Sequence, residues 1–361
     1  MKILLLAGEE SGVLYANQIR AELERRLSGA EIRGYADYGF ETSDLAVMGI
    51  VPVLCRLFYF LRVKRTMETA IDRWRPDVVC TVDYPGMNLK LAAYAKRKGV
   101  KAVHVVCPQV WAWRRGRIPK IEAALDRLCC FFPFEPALFR PGFAEFVGHP
   151  LAEAFGAAET GRGLSPDGML ALLPGSRLGE IEKIFPVLIE VVRELRQKLP
   201  RLKVVVPAAN DRAYAAILRH IDRSGLEMEV THGGARQALA VADSAVVASG
   251  TATLEAALSG CPTVLVYRVG WVFAAIARRV IKGVKHVGLA NIIAEKAGRT
   301  CPMPELLQEN MTVGNILDCL LPNLTDATEN ARARECLSKT MGLLRTDGNA
   351  IARIVNILIC P

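Results

Sequence analysis

The chain has 361 residues, of which 51% are hydrophobic and 23% are charged. This composition is that of an ordinary globular protein and excludes a disordered or fibrous chain, and the length predicts two domains. The formal net charge of +9 favours anionic partners such as phosphorylated substrates or acidic lipid. No nucleic-acid-binding signature accompanies the basic clusters at 56–65, 114–120 and 278–285, so no nucleic-acid partner is expected.

The ten cysteines are scattered without any C-x-x-C spacing, and the adjacent pair Cys129-Cys130 lies in a strand-like run. This pattern predicts reduced thiols in a cytoplasmic protein and indicates neither a disulfide framework nor a zinc site. The apolar run 3–7 is too short for the core of a signal peptide and is followed directly by Gly8-Glu9-Glu10. It is predicted to be a first buried strand.

Short apolar runs alternate with helix-period segments, which is typical of parallel sheets flanked by helices. In the first half, the predicted strands are 2–7, 32–35, 78–82, 102–106 and 127–132, and the predicted helices are 11–27, 63–73 and 89–98. In the second half, the predicted strands are 169–173, 203–207, 227–231, 244–248 and 263–267, and residues 328–360 are predicted to be helical.

The segment 157–167 is rich in glycine and in small and polar residues, which predicts a linker between the two halves. The predicted fold class is α/β, with two Rossmann-like doubly wound domains that face each other across a cleft. The predicted domain boundaries are 1–156 and 168–327, followed by a C-terminal helical segment at 328–361.

Two strand-to-helix turns in the second half have the chemistry of an anion site. One strand ends at Ser249-Gly250-Thr251 before an Ala/Leu-rich helix, and another runs into Pro174-Gly-Ser-Arg177 before a helical segment. Such junctions present unpaired N–H groups, hydroxyls and a positive helix end. One turn alone is common in α/β proteins, but two together predict binding of a nucleotide diphosphate.

In the first half, the strand at 77–82 places Asp83 at its carboxyl end. Doubly wound sheets bind ligands at the carboxyl ends of their strands, so the second reactant is expected here. Asp83 suits the role of a general base. The alternative is that Asp83 only caps the helix that follows.

Nine motifs, in order and over nearly the whole chain, resemble the lipid-A-disaccharide synthase family. They are Asp83-x-Pro-x-x-Asn88, Val110-Trp-Ala-Trp-Arg114, Phe131-x-Pro-Phe-Glu135, Phe146-Val-Gly-His-Pro-Leu151, Leu172-Leu-Pro-Gly-Ser-Arg177, Ala248-Ser-Gly-Thr-Ala-Thr-Leu-Glu255, Tyr267-Arg268, Leu289-Ala-Asn-Ile292 and Pro304-Glu-Leu-Leu-Gln308. The resemblance implies the GT-B fold, with an acceptor and membrane-facing N-terminal domain and a UDP-sugar-binding C-terminal domain.

The implied reaction transfers 2,3-diacylglucosamine from UDP-2,3-diacylglucosamine to 2,3-diacylglucosamine 1-phosphate (lipid X), giving a β-1,6-linked disaccharide and UDP. Inversion at the sugar requires in-line attack by a 6-hydroxyl that loses its proton, and the resemblance assigns the base to Asp83. No cofactor is implied. The chain has no D-x-D motif that would hold a metal ion, so Arg177 and the two helix ends are expected to stabilise the departing UDP.

Each donor-side residue has a plainer alternative. Arg177 could pair with Glu180 on the helix surface, Ser249 or Thr251 could be simple N-caps, and Glu255 could be a solvated helix residue rather than the one that binds the ribose hydroxyls. The predicted UDP-sugar-binding residues are Ser176, Arg177, Asn210, Gly233, Ser249, Gly250, Thr251, Glu255 and Arg268.

The predicted acceptor-side residues are Glu9, Ser11, Asn88, His149 and Asn291. His149 is as well explained by a hydrogen-bonded hinge as by a ligand contact. Trp111 and Trp113 are expected to pack in the core of the first domain, and the alternative is that they line the acyl pocket.

Both implied substrates carry acyl chains, so the enzyme is expected to work at the inner face of the inner membrane as a peripheral protein. The segment 48–65 is too short and too interrupted by arginine to cross a bilayer. Its apolar residues fall at helical spacing among basic neighbours, which predicts contact with an anionic membrane; a helix that faces the protein core is the alternative. The predicted membrane-facing residues are Leu54, Leu57, Phe58 and Leu61.

Three acceptor-side positions depart from the family pattern: Val13, Gly86 and the segment 35–40. Acceptor identity is therefore less well determined than donor chemistry. The alternative hypotheses for the function are a UDP-N-acetylglucosamine 2-epimerase, a glycosyltransferase with another lipid acceptor, and a non-catalytic nucleotide-sugar-binding protein at the membrane. A nicotinamide dehydrogenase is disfavoured because the turn at 8–12 lacks G-x-G-x-x-G spacing. The sequence leaves a homo-oligomer open.

Overall fold

A computed structural model describes residues 1–45, 56–156, 161–268 and 285–360. Its internal contacts divide the chain into two compact units. Unit 1 comprises Met1–Ala154 and Leu344–Pro361, and unit 2 comprises Phe155–Leu343.

Unit 1 is built on a parallel six-stranded sheet. Its strands are β1 (Lys2–Ala7), β2 (Glu31–Arg33), β3 (Val78–Val82), β4 (Lys101–Val105), β5 (Arg127–Cys130) and β6 (Ala144–Phe146). Their spatial order is β2-β1-β3-β4-β5-β6. The helices are α1 (Glu10–Arg26), α2 (Thr42–Leu45), α3 (Leu57–Trp74), α4 (Asn88–Arg97), α5 (Ile118–Ala124) and α6 (Pro150–Phe155), the last of which reaches unit 2.

Unit 2 repeats this architecture. Its strands are β7 (Met169–Leu173), β8 (Lys203–Ala208), β9 (Glu229–His232), β10 (Ser244–Ala248), β11 (Thr263–Tyr267) and β12 (Glu305–Leu307), in the order β12-β11-β10-β7-β8-β9. Its helices are α7 (Leu178–Lys198), α8 (Asp211–Ser224), α9 (Ala235–Val241), α10 (Thr251–Leu258), α11 (Leu289–Lys296), α12 (Val313–Thr325) and α13 (Ala327–Met341). The last helix, α14 (Ala350–Ile359), belongs to unit 1.

Alternation along the strands explains why both faces of each sheet are covered by helices. In β1, Ile3 and Leu5 pack in the core under α1 and α14, whereas Leu4 and Leu6 pack under α3 and α4. A strand that is apolar on both faces must be covered on both faces. This requirement is why the continuous apolar runs of the sequence predict a three-layer unit.

The strand order reverses once in each sheet, and these switch points locate the candidate sites. In unit 1 the reversal lies between β1 and β3, and in unit 2 it lies between β7 and β10. Loops that leave neighbouring strands in opposite directions open a crevice at the carboxyl edge of the sheet. The turns after β1 and β3, and those after β7 and β10, therefore mark two candidate ligand sites.

The predicted fold class, with its two Rossmann-like domains, is confirmed. Ten of the strands lie where the sequence predicted them, with ends displaced by a few residues, while β6 and β12 were missed. Both missed strands are three half-buried residues long, too short for a readable alternation. The predicted C-terminal segment 328–361 is divided between the two units. Its residues up to Leu343 belong to unit 2, and those from Leu344 onward belong to unit 1.

The predicted linker lies partly outside the described residues, at 157–160. Its later part has no helix or strand but is fixed to unit 2 by one buried carboxylate. Asp243 accepts hydrogen bonds from Arg162 Nη2 at 2.7 Å, from Ser165 N at 3.1 Å and from Met169 N at 2.8 Å. The charge of Asp243 therefore fixes where the linker joins β7.

Candidate active site

The two predicted diphosphate turns meet at the switch point of unit 2. The first follows β7 and leads into α7, and the second follows β10 and leads into α10. Gly250 directly precedes α10 with φ 155° and ψ −165°, a conformation essentially restricted to glycine. A side chain here would strain the turn, so the glycine is explained by the backbone geometry.

A cavity of about 350 Å³ lies at this switch point. It is of the size that binds a small-molecule ligand. Seven of the nine predicted UDP-sugar-binding residues line it: Ser176, Arg177, Gly233, Ser249, Gly250, Thr251 and Glu255. The structure thus brings together residues that are up to 79 positions apart in the sequence, from Ser176 to Glu255.

The electrostatics of this cavity suit an anion. Within the described part of the chain, no side chain caps the N-terminus of α7 or α10, so their first N–H groups are available to a ligand. The guanidinium of Arg177 is 68% exposed, and its Nη1 pairs with Glu180 Oε1 at 3.0 Å. The predicted alternative for Arg177 is thus realised here, although Glu180, whose side chain is 14% exposed, lines the cavity rather than the outer surface of the helix.

Glu255 lies one turn into α10 and is half buried. Burial raises the pKa of its carboxyl, and nearby Arg236 opposes that shift. A carboxylate that lines a cavity without full solvation gains from accepting hydrogen bonds, as it would from two ribose hydroxyls.

The remaining two donor-side residues lie outside the cavity wall. Asn210 caps α8 by accepting from Ala213 N at 2.9 Å, and its Nδ2 donates to Ser176 O at 3.2 Å. Asn210 therefore stabilises the turn at Ser176 without lining the cavity itself. The guanidinium of Arg268 donates to the carbonyls of Gln308 and Met311, at 3.4 and 2.7 Å.

In unit 1, Asp83 leaves the carboxyl end of β3 in a strained turn. Asp83 and Tyr84 both have φ 51°, in the left-handed region that non-glycine residues rarely occupy. Such strain is concentrated at functional sites. Gly8, after β1, allows the turn to pack closely, since a Cβ at Gly8 would lie 2.5 Å from Cδ1 of Tyr84.

The Asp83 carboxyl is partly buried among polar groups. Burial raises its pKa, while hydrogen bonds from Tyr84 N, at 2.9 Å, and from Ser11 lower it. Glu9 lies in the same cluster, where burial and then the charge of Asp83 raise its pKa. Burial and Asp83 also raise the pKa of Tyr15 to about 12. The structure therefore gathers Glu9, Ser11 and Asp83 into one acidic pocket at the switch point.

Asn88 holds the Asp83 turn in place. It is fully buried, and its Nδ2 donates to the carbonyls of Leu6, Val82 and Asp83, at 3.2, 3.1 and 2.8 Å. Its Oδ1 accepts a hydrogen bond from Tyr35 Oη at 2.8 Å. The Asn88 side chain is thus committed to the fold, and it acts on the candidate site by positioning the backbone of Asp83.

Replacing Tyr35 with Phe is expected to lower kcat more than it changes KM, because Asn88 loses its only side-chain donor among the described residues. A buried acceptor left unpaired costs about 1 to 3 kcal/mol, so the urea midpoint should also fall. Initial rates and urea unfolding of the same preparation test this. Tyr38→Phe in the same loop is the control, and an equal loss of kcat in both variants would exclude a positioning role for Tyr35.

If Asp83 is the base, kcat/KM should fall on acidification. The fall should occur at a pH above 3.8, the ordinary pKa of an Asp carboxyl, because burial raises the pKa of Asp83. A general base must be ionised to accept a proton, so activity is lost as the pH falls through the raised pKa of Asp83. The acid limb of kcat/KM against pH measures this value in the free enzyme. A profile that stays flat to pH 3.8 would contradict the assignment.

The other predicted acceptor-side residues are buried. His149 is 5% exposed, packs against Phe131 with ring centroids 5.1 Å apart, and has its pKa lowered to about 4 by burial. The Asn291 side chain accepts a hydrogen bond from Met303 N through Oδ1, and its Nδ2 donates to Met303 O and to Glu305 Oε1, the latter at 2.8 Å. Asn291 belongs to unit 2 and His149 to unit 1.

Of the two tryptophans expected in the core, only Trp111 is buried. The prediction for Trp113 is wrong, since its side chain is 37% exposed. The guanidinium of Arg114 lies 4.4 Å from the centre of its ring, and this cation–π contact explains how the indole is accommodated at the surface.

One face of α3 is apolar and exposed. Leu57, Phe58 and Leu61 are 46%, 86% and 41% exposed, whereas Phe60, Val63 and Met67 of the same helix are buried in the core. The fourth predicted membrane-facing residue, Leu54, lies outside the described residues. Among the helices that the structure describes, none combines the length and the apolar character that a membrane span requires.

Several residues of these sites were missed by sequence reasoning. Tyr35 and Tyr15 lie far from Asp83 in the sequence and carry no motif, so only the fold brings them close. Tyr84 directly follows Asp83, so its place in the turn could have been predicted from the sequence. The pairing of Glu180 with Arg177 was foreseen as an alternative, but its place in the cavity wall was not.

Comparison with known proteins agrees with the geometry. The family model described as lipid-A-disaccharide synthetase matches residues 3–351. Lipid-A-disaccharide synthase of Geobacter sulfurreducens is 36% identical over 365 residues, covering 96% of this chain and 94% of that protein. The enzyme of the same name from Myxococcus xanthus is 37% identical over 335 residues, covering 88% and 86%.

Solved structures support the fold alone. MurG of Acinetobacter baumannii aligns with a TM-score of 0.60 at 14% identity, covering 99% of this chain and 98% of that one. UDP-GlcNAc 2-epimerase of Neisseria meningitidis, bound to UDP-GlcNAc, aligns with a TM-score of 0.59 at 11% identity, covering 99% and 100%. These neighbours agree with the predicted GT-B type of two Rossmann-like domains. On the family match and the identities to its relatives, the chain belongs to the lipid-A-disaccharide synthase family.

Proposed function

We propose that this glycosyltransferase moves 2,3-diacylglucosamine from UDP to the 6-hydroxyl of 2,3-diacylglucosamine 1-phosphate, with inversion, and releases UDP. The observation that carries the proposal is the unit 2 cavity, where two helix N-termini, Arg177 and Glu255 surround one space. That donor set matches the charges and hydroxyls of a nucleoside diphosphate sugar.

In the proposed mechanism, unit 2 holds the donor. The turns at Ser176 and Thr251 bind the diphosphate through backbone N–H groups and hydroxyls, and Arg177 leaves Glu180 to bind a phosphate oxygen. As the glycosidic bond breaks, negative charge grows on that diphosphate. Fixed donors aimed at it stabilise the transition state because they need no reorganisation.

Unit 1 supplies the base and the acceptor site. Asp83 takes the proton from the acceptor 6-hydroxyl as that oxygen attacks the anomeric carbon from the side opposite UDP. Ser11 and Tyr84 N hold the carboxylate in orientation, and Asn88 holds its backbone. Glu9, which lies close to Asp83, is assigned to a hydroxyl of the acceptor sugar.

The test is one assay with purified protein, the diacylated UDP sugar and the monosaccharide 1-phosphate. The expected products are UDP and a β-1,6-linked disaccharide 1-phosphate, formed at the same rate after brief exposure to a chelator. Conversion of the UDP sugar without the acceptor would identify an epimerase instead. Binding of the UDP sugar without any product would identify a non-catalytic binding protein.

We further propose that the exposed face of α3 docks on an anionic membrane, at the inner face of the inner membrane where acylated substrates would be met. Three large apolar side chains, Leu57, Phe58 and Leu61, point outward there. Arg56, Arg62 and Arg65 are exposed around them. Burying one such side chain contributes up to about 1.5 to 3 kcal/mol, and each nearby Arg about 1 kcal/mol.

Replacing Leu57 and Phe58 together with Ser is expected to reduce binding to vesicles of anionic lipid at least about tenfold while sparing the fold, since both side chains are exposed. Co-sedimentation with vesicles and thermal unfolding measure the two effects. Leu14→Ser is the matched control, because Leu14 is 55% exposed on α1 of the same unit. Unchanged sedimentation of the double variant would remove α3 from membrane contact.

A further inference from the structure

Three acidic side chains meet inside unit 1, away from Asp83. Cys107 follows β4, Cys130 ends β5, and Glu135 lies in the loop after β5. The two Sγ atoms and one carboxylate oxygen all lie within 4.8 Å of one another. Their relative exposures are 4%, 0% and 1%, so the cluster is closed to bulk water.

The spacing of this cluster is close to that of a metal site. Tetrahedral zinc, at about 2.3 Å from sulfur and 2.0 to 2.2 Å from oxygen, holds its ligand atoms roughly 3.4 to 3.8 Å apart. Shifts of about 1 Å or less would therefore bring the three atoms into coordination. Two thiolates with one carboxylate are a ligand set that selects a thiophilic cation over magnesium or calcium.

The surroundings already orient the carboxylate. Trp111 Nε1 donates to Glu135 Oε1 at 3.0 Å, and Phe132 N donates to Oε2 at 3.1 Å. Metal-bound carboxylates are usually held in this way by outer hydrogen bonds. The carboxylate also accepts hydrogen bonds from the Phe131 backbone and from the Cys107 thiol. A cation would take the place of that thiol proton.

The thiol protons are the groups that a cation would displace. Cys107 Sγ donates to the carbonyl of Pro108 at 3.3 Å, and its thiol also contacts Cys130 and Glu135. Thiols are weak hydrogen-bond donors, so little hydrogen-bond energy is lost when a cation replaces their protons.

We propose that Cys107, Cys130 and Glu135 form a structural site for a thiophilic divalent cation of the zinc class. The ion ties the ends of β4 and β5 to the loop that carries Glu135. In residues 1–45, 56–156, 161–268 and 285–360, no fourth Cys, His, Asp or Glu joins the group, so water or a backbone carbonyl completes the coordination. The site has no short-range motif, because its two cysteines are 23 positions apart and meet only through adjacent strands.

The test uses Co²⁺ as a spectroscopic probe, added while the full-length protein refolds under reducing conditions. The wild-type protein should bind one equivalent with thiolate-to-cobalt absorption and the strong visible bands of tetrahedral coordination, and excess Zn²⁺ should displace it. Cys107→Ser and Cys130→Ser should each lose about half of the thiolate absorption, and the double variant should lose all of it. Refolding in Zn²⁺ rather than chelator should raise the Tm of the wild-type protein but not that of these three variants.

Controls separate this site from other thiols. Cys301→Ser removes a partly exposed cysteine whose Sγ lies 3.1 Å from His286 Nε2, and it should leave the spectrum unchanged. Cys107→Ala provides a second variant if the Ser variants fail to fold. The proposal is overturned by a spectrum that depends on Cys301, by the absence of stoichiometric binding, or by a Cys107–Cys130 disulfide in the protein as purified without reductant.

Discussion

Replacing Asp83 with Asn is expected to leave UDP affinity unchanged and to lower kcat at least about a hundredfold, because general base catalysis is typically worth 10² to 10⁴ in rate. Asn is nearly isosteric with Asp and can still accept from Tyr84 N, so the strained turn should persist. The loss should therefore appear in the chemical step. Single-turnover rates and UDP titration calorimetry separate chemistry from binding.

A matched control for Asp83 is Asp72→Asn. Asp72 is an exposed carboxylate of α3 in the same unit, paired with Lys98 Nζ at 2.8 Å. Its replacement changes the net charge equally but should leave the rate within about a factor of two, as for an exposed pair. A near-normal rate for Asp83→Asn would remove that residue from the mechanism.

Replacing Arg177 with Ala is expected to weaken UDP binding by roughly 10- to 150-fold, since hydrogen bonds to charged groups are worth about 1.5 to 3 kcal/mol. The rate should fall as well, because charge on the leaving diphosphate is greatest in the transition state. Ser176→Ala removes only a neutral donor and should cost less, about 0.5 to 1.5 kcal/mol. UDP titration and kcat of both variants test this order.

Arg193→Ala is the control for Arg177. Both arginines form an i,i±3 pair with a glutamate of α7, Arg177 with Glu180 and Arg193 with Glu190. Arg193 does not line the cavity that the described residues form at the switch point. UDP affinity that is unaltered in Arg177→Ala, or equally reduced in Arg193→Ala, would contradict a phosphate-binding role.

The paired turns of unit 2 could be predicted from the sequence because their determinants are local. Each turn consists of a buried strand, a short stretch with glycine and serine, and a helix, and all three are readable within about 15 residues. The strand order then brings the two turns together, since β7 and β10 are neighbours. Only the cavity lining, including Glu180 and Gly175, required the three-dimensional structure.

The surroundings of Asp83 were less predictable because they depend on residues that are distant in the sequence. Tyr35 belongs to a segment that departs from the family pattern, yet its hydroxyl completes the hydrogen bonding of Asn88. Nothing in the local sequence at 35–40 indicates this contact. In the same way, the return of α14 to unit 1 depends on Ile354, Val355 and Leu358 packing against the first sheet, a long-range event that periodicity cannot reveal.

The central claim is that UDP is held by the turns after β7 and β10. A crystal structure of the protein with UDP tests it most directly. The diphosphate is predicted to lie in the cavity lined by Gly175, Ser249 and Thr251, with Arg177 turned from Glu180 toward a phosphate oxygen and Glu255 on the ribose. Nucleotide density elsewhere, or a diphosphate with no contact to either turn, would contradict the account.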